Sequence, residues 1–327
     1  MLSRVADSLY WMSRYLERAE HTTRLLEVNL NLMLDESASN AERRWQRVLL
    51  ALGKPKDTEW TGDPYALTRT LTFDTNNKAS ILSCIISARE NSRHVREQIS
   101  TEQWHRLNRL YLRVTGPQLQ IALQAEALHS NELPAEFLQQ VMEAVHQFQG
   151  VTDSTMSHGE GWQFIQVGRY IERASATALL LEAYHEDLWS HPDRIPEANE
   201  YLGWMGLLRS ATAFEAYCKV YTADLTPEQI LEFLLLDPDF PHSLRFSIDS
   251  LQNALEAIHG EAGKVRAEPL RRLAGRLQAS LSYSSVDEIL NGDVIAYLRG
   301  IQAQCRDIHS TIYELYVDYS IQAALAG

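Results

Sequence analysis

Residues 14–19 read RYLERA and residues 169–174 read RYIERA, so five of the six positions are identical and the sixth exchanges Leu for Ile. The match continues through Thr22/Thr177, Leu25/Leu180 and Leu26/Leu181. A second echo follows in order, FDTNNKASILSCI at 73–85 against LDPDFPHSLRFSI at 236–248. A third sets FLQQV at 137–141 against YLRGI at 297–301. The offsets are 155, 163 and 160 residues, which differ only by loop-sized insertions. Collinear echoes of this kind predict a tandem duplication, with one repeat over 1–155 and the other over 156–327.

Around both hexamers the apolar residues recur at steps of three and four. Val5, Leu9, Met12, Leu16, Ala19, Leu26, Leu30 and Met33 lie on such a stripe, the period of a helix with one face buried. Ser3 is placed to cap that helix, which runs to about Asp35. The same pattern predicts helices at about 38–52, 65–73, 79–98, 101–128, 134–149, 160–189, 200–222, 226–236, 242–259, 268–283 and 292–320. Breaks are expected at Gly53-Lys54-Pro55, Gly62-Asp63-Pro64, Gly116-Pro117, Gly150, His191-Pro192 and Asp237-Pro238. No stretch alternates with period two. The expected fold is therefore all-α, a tandem-duplicated multi-helix bundle with no sheet, its copies related by a pseudo-twofold and its two ER helices in contact.

The chain has 327 residues, with 45% hydrophobic and 22% charged, ordinary values for a globular protein. The net charge is −13. No basic run marks a nucleic-acid surface, and no uncharged apolar stretch is long enough for a membrane span. The first residues, MLSRVADSLYWMSRYLERAE, carry charge every few positions, unlike a signal peptide. Cys84, Cys218 and Cys305 are odd in number and far apart, which fits buried thiols in a reducing compartment. A cytoplasmic protein is expected.

The hexamers carry charges where a helix faces its neighbour. Arg14, Glu17 and His21 share a stripe with Arg18 beside it, and Arg169, Glu172 and Arg173 repeat them. Adjacent Glu and Arg side chains leave a helix on different faces, so partners on other helices are expected, Glu17 with Arg173 and Glu172 with Arg18. Arg fits such pairs through its bidentate fork. Three readings remain: a solvated face, a buried structural network, and a ligand or catalytic site. Arg89, Arg93 and Arg96 share another face, with Glu90 and Glu97 alongside. These are either intrahelical pairs or an anion-binding set that joins the ER centre. Arg209, with Tyr217 nearby, is a further candidate. Trp11, Trp162 and Trp204 are core residues or walls of a pocket.

Other chemistries have less support. Glu102/His105, Glu143/His146, Glu182/His185 and Glu256/His259 have the Glu-x-x-His spacing of carboxylate di-metal bundles, yet they do not align under the repeat, and no metal ligands are assigned. There is no Gly-x-Ser-x-Gly elbow and no glycine-rich phosphate loop.

The two hexamers, ARENSRHVREQIS (88–100), TMSHGEGWQFIQVGRYIERA (155–174) and FLLLDPDFPHSLRF (233–246) together resemble the Alpha-E domain family over essentially the whole chain. That family is an all-helical domain of unknown function named for its ER motif. His242 departs from it, since Arg tends to follow Phe-Pro there; Arg245 remains. The resemblance implies a partner, a circularly permuted ATP-grasp protein encoded beside or fused to the domain, with a transglutaminase-like protein as a further associate. It implies a role in peptide or amide ligation or modification. No cofactor is expected on this chain, and ATP belongs to the partner. In that role Arg14, Arg18, Arg89, Glu90, Arg93, Arg169, Arg173 and Arg209 bind an anionic substrate group, carboxylate or phosphate, and Glu17 or Glu172 acts as acid or base. The alternative is a non-catalytic adaptor that docks the ATP-grasp protein, with the ER network purely structural. A di-metal enzyme is the third reading.

Overall fold

A computed structural model describes residues 3–33, 38–54, 62–117, 132–188, 198–222, 224–258 and 267–318. The described residues form fourteen helices and no strand. They are α1 (Ser3–Leu32), α2 (Ala38–Ala51), α3 (Pro64–Phe73), α4 (Ile81–His94), α5 (Thr101–Thr115), α6 (Glu132–Thr155), α7 (Glu160–Leu188), α8 (Ala198–Ser210), α9 (Phe214–Tyr221), α10 (Pro227–Leu236), α11 (Leu244–Ile258), α12 (Glu268–Tyr283), α13 (Val286–Asn291) and α14 (Val294–Tyr313), followed by a π turn over Glu314–Asp318.

The helix starts are written locally. Asp63 accepts from the backbone N–H groups of Tyr65 and Ala66 at the head of α3, with Pro64 in the first turn. Ser80 caps α4, and Ser100 with Gln103 forms a reciprocal capping box on α5. Each cap satisfies donors that a helix end otherwise leaves open, for about 1 kcal/mol.

The aligned repeat segments behave alike. Asp74 Oδ1 accepts from the Asn76 N–H at 2.9 Å, and Asp237 Oδ1 accepts from the Asp239 and Phe240 N–H groups at 2.9 and 2.7 Å. Ser80 Oγ then accepts from Ser83 N–H and Ser243 Oγ from Phe246 N–H. After these turns α3, α4, α5 and α6 pack in succession, as α10, α11, α12 and α14 do.

The chain forms two compact units, each discontinuous in sequence. The first comprises Met1–Glu27, Thr61–Arg169 and Tyr316–Gly327, the second Val28–Trp60 and Tyr170–Leu315. Sequence repeats and compact units are thus different divisions of the chain, and α1 and α7 each contribute to both units. In the first unit Leu9, Met12, Leu16, Ile81, Ile85, Leu107, Leu138, Val141 and Phe164 are buried. In the second, Trp45, Leu208, Tyr217, Ile230, Phe233, Leu251, Leu277 and Leu298 are. Each such side chain contributes about 1.5–3 kcal/mol by leaving water.

Several boundaries differ from the sequence expectation. α6 runs through Gly150 to Thr155, because one helical glycine costs only about 1 kcal/mol. The helix expected over 200–222 is two helices. Ala213 N–H bonds to the Leu208 carbonyl and Thr212 N–H to that of Arg209, the Schellman pattern, with Thr212 at φ +57° where glycine usually stands. α4 ends at His94 rather than 98. α5 ends at Thr115, and the remainder of the helix expected to reach 128 lies outside the described residues from 118 on.

α1 and α7 do meet, within the first unit. Ser13 Oγ donates to the Ile165 carbonyl at 2.7 Å. A Cβ on Gly168 would stand 2.4 Å from the Tyr10 carbonyl oxygen. Only glycine permits that approach.

Candidate functional site

The ER hexamers lie in the middle of α1 and the first half of α7. Glu17 is 3% exposed, Arg173 7%, and Arg169 and Glu172 8%. Arg14 and Arg18 are half-buried. Glu17, Arg18, Glu172 and Arg173 are each engaged in interactions. The solvated-face reading therefore fails for both glutamates. Buried charge persists only where it is paired and hydrogen-bonded.

Within the first unit, Arg14 packs its guanidinium over Trp11, 4.7 Å from the ring centroid, and donates to the Tyr10 hydroxyl at 3.2 Å. Arg18 lies over Tyr15 at 5.8 Å. Arg169 donates to Gln166 Oε1 at 3.2 Å and stands 4.0 Å from the Asp153 carboxylate. Within the second unit, Arg173 lies over Tyr170 at 5.5 Å, repeating the Arg18–Tyr15 arrangement, and donates to the Pro241 carbonyl at 3.1 Å. Beside it Thr177 donates to the carbonyl of His242, the residue that departs from the family pattern. One turn of repeated sequence thus fastens α7 to the loop before α11.

Arg89 and Arg93 of α4, and Arg96 just past its end, do not converge on an open site. Arg89 and Arg96 lie against the Trp104 ring of α5, at 5.3 and 4.9 Å, and Arg89 also covers Tyr111. The aromatic faces relieve the like charges, as a bound anion otherwise would. Glu90 accepts from Arg89 at 2.5 Å and from Arg93 at 2.9 Å. The Arg89 hydrogen bond, with Arg93 adding its charge, holds the Glu90 carboxyl below the usual carboxylate range. Here adjacent residues do bond, because the long Arg89 side chain curls back to Glu90. Arg93 itself is exposed. Arg209 is exposed too, over the Phe214 ring at 5.4 Å, and the Schellman turn sets it on a different helix from Tyr217.

The Glu-x-x-His residues have other duties. Glu182 holds Arg299 and Gln302, and Glu102 holds Arg106. His146 bonds to Glu20 at 3.0 Å, and His259 lies outside the described residues. Among the described residues no three His, Cys, Asp or Glu side chains gather where a metal could sit. No disulfide joins the cysteines. Trp204 is buried, and Trp162 stacks on His158 at 4.1 Å.

Three charged residues escaped the sequence reading. Glu20 is buried and accepts from Arg24, His146 and Gln149. Arg44 and Arg47 of α2 are 2% and 7% exposed. Their signal was in the pattern: Arg44, Val48 and Ala51 fall on one stripe, all buried, so an arginine occupies an apolar position.

Such a fold, all helix with charged hexamers repeated inside two long helices, has a family counterpart. Residues 1–317 match Alpha-E, described as a predicted alpha-helical domain with a conserved ER motif, and the chain belongs to that family. It is 25% identical to uncharacterized proteins of Mycobacterium bovis and Mycobacterium tuberculosis, over 93% of this chain and 36% of theirs. The chain thus spans about a third of the length of these curated relatives. No solved structure matches it. No helix among the described residues is long and apolar enough to cross a membrane.

Proposed function

We propose that this chain is the helical component of an ATP-grasp-linked peptide- or amide-ligation system, that it docks the circularly permuted ATP-grasp protein, and that its ER hexamers are architecture. The observation that carries this reading is the burial and engagement of the hexamer acids. Glu17 and Glu172 are nearly inaccessible, and both are engaged. A general acid or base must come within hydrogen-bond reach of its substrate. Arg18 and Arg173 pack on the tyrosine three residues earlier in each repeat, a duty that needs no ligand. The ligation role itself comes from the family resemblance, and the short span against longer relatives fits a module that works beside other domains. ATP chemistry, and any transglutaminase-like step, belong to the partners.

Arg169 favours the second reading, in which the ER arginines hold an anionic substrate group. It is buried against a neutral amide and a carboxylate 4.0 Å away. That leaves its guanidinium short of the fork–fork pairing that carboxylates and phosphates give.

The test is co-expression with a circularly permuted ATP-grasp protein from the same genome. The two are expected to co-elute on size exclusion, and ATP turnover by the partner should require this chain. Separate elution with unchanged turnover would contradict the proposal.

A further inference from the structure

One surface of the first unit carries a charge opposite to that of the chain. From Arg89 to Arg113 there are six arginines against three glutamates, with no lysine and no aspartate, while the net charge of the whole chain is −13. The segment holds most of α4, all of its connection to α5, and nearly all of α5. Gln103, Leu107, Leu110 and Val114 turn one side of α5 into the core. On the outer side, at helical steps of three and four, His105, Arg109, Leu112 and Arg113 are all exposed. Arg96 is exposed at the flank of this stripe, lying over the Trp104 ring.

Two of the three glutamates are already taken. Glu90 accepts from Arg89 and Arg93, and Glu102 stands 3.5 Å from Arg106. Arg96, Arg109 and Arg113 form no ion pair among the described residues. Leu112, between two of these arginines, is 58% exposed. A lone exposed leucine is ordinary; here its neighbours give it meaning. Arginines, flanking aromatic rings and an apolar side chain, with lysine missing, are the composition of a protein–protein interface. A guanidinium already stacked on a ring also has less freedom to lose on docking. A continuous array of phosphates, in a nucleic acid or on a lipid surface, would meet Glu90, Glu97 and Glu102 among the arginines and an acidic chain around them. A protein surface can match that mixture of signs.

We infer that the outer stripe of α5, with Arg96 at its flank, docks an acidic surface of a partner protein. Carboxylates of the partner pair with Arg96, Arg109 and Arg113, and an apolar side chain of the partner covers Leu112. The inference rests on the docking role proposed above for the identity of that partner, the ATP-grasp protein, but the surface uses none of the ER residues.

The test is photo-crosslinking in the cells that naturally produce this protein, with the full chain carrying benzoylphenylalanine in place of Leu112. A second chain carries it in place of Arg69, which is exposed on α3 of the same unit. Mass spectrometry of the linked peptides identifies what each position touches. Position 112 is expected to link to an acidic segment of the ATP-grasp protein, and position 69 is not. Combining Arg109→Glu with Arg113→Glu should cut the yield at position 112 by about tenfold or more, because like charges then face each other. Both arginines are exposed, so the melting temperature should stay that of the parent, which separates lost docking from lost folding. Should this pair of changes impair folding, Arg109→Gln with Arg113→Gln removes the charge alone and decides instead. A link to an acidic segment of a different protein, lost on charge reversal, would uphold the surface and overturn the ATP-grasp protein as its partner. No link at position 112, a link to a second copy of this chain, or a link that charge reversal leaves unchanged would overturn the inference.

Discussion

Ser13 and Gly168 each stand immediately before an ER hexamer, and they face each other where α1 and α7 cross: a Cβ on Gly168 would lie 3.2 Å from the Cβ of Ser13. Positions that match in the repeat also meet in space. The contact is held by the Ser13 hydroxyl, which donates to the Ile165 carbonyl. It is also closed against any larger residue, since that added Cβ would sit 2.4 Å from the Tyr10 carbonyl oxygen, a backbone atom with no way to swing aside.

Gly168→Ala is therefore expected to cost about 3 kcal/mol, at the upper end of overpacking effects. Gly150→Ala is the contrast. It too is a helical glycine, but nothing lies within 4 Å of its added Cβ, and it should gain about 0.5–1 kcal/mol from backbone entropy. Denaturant unfolding of the two variants gives the comparison. Similar changes in both would mean that α1 and α7 do not cross so closely.

Glu20 gathers three donors in the first unit: Arg24 at 3.2 Å, His146 at 3.0 Å and Gln149 at 3.1 Å. Glu20→Gln puts an NH2 group among donors and should cost about 1–3 kcal/mol. Glu143, exposed and bonded to Gln139, should tolerate the same change within about 0.5 kcal/mol. Chemical denaturation would show the asymmetry, and equal losses would remove Glu20 from the framework.

Thr212 holds φ +57° at the end of α8. A β-branched residue is strained there, whereas glycine is at home. Thr212→Gly should raise stability by about 1 kcal/mol. A loss on thermal unfolding would mean that the Thr212 side chain contributes more than its backbone costs.

Tyr221 donates to Glu232 Oε2 at 3.0 Å. Burial, and then that carboxylate, push its hydroxyl from 10.0 up to about 12. A folded value above the unfolded one means that the folded chain holds this proton more tightly. The stabilisation is complete below pH 10, and it is lost as pH rises through about 12. Tyr221→Phe should be less stable than the parent below pH 10, and the gap should close by about pH 12. A gap that is constant across this range would contradict the bond to Glu232.

The fold was legible because periodicity and repetition are local signals. Each aligned Asp and Ser of the second echo, Asp74/Asp237 and Ser80/Ser243, proved to do the same local job. Helix breaks were less legible. Gly150 punctuates on paper but is tolerated inside a long helix, while the real break falls at Thr212, a residue type with no reason to announce one. Arg89, Arg93 and Arg96 share a face only on an uninterrupted helix; α4 ends at His94, and the ring that receives Arg89 and Arg96, Trp104, comes from another helix. Sequence spacing could not supply that. Arg44 and Arg47 were overlooked because arginines beside Glu42 and Gln46 read as surface, and only their phase relative to Val48 and Ala51 betrays them.

The central claim is that the ER hexamers hold the fold together, and unfolding of Glu17→Gln and Arg173→Met beside the parent tests it most directly. Glu17 and Arg173 are buried and engaged, and removing either leaves its partner groups buried and unsatisfied, at a cost of about 1–3 kcal/mol. Arg173→Met also releases the Pro241 carbonyl that fastens α7 to the loop before α11. Both variants are expected to melt several degrees below the parent. Melting that is unchanged or raised would contradict the account, because charges held against stability mark a binding or catalytic site.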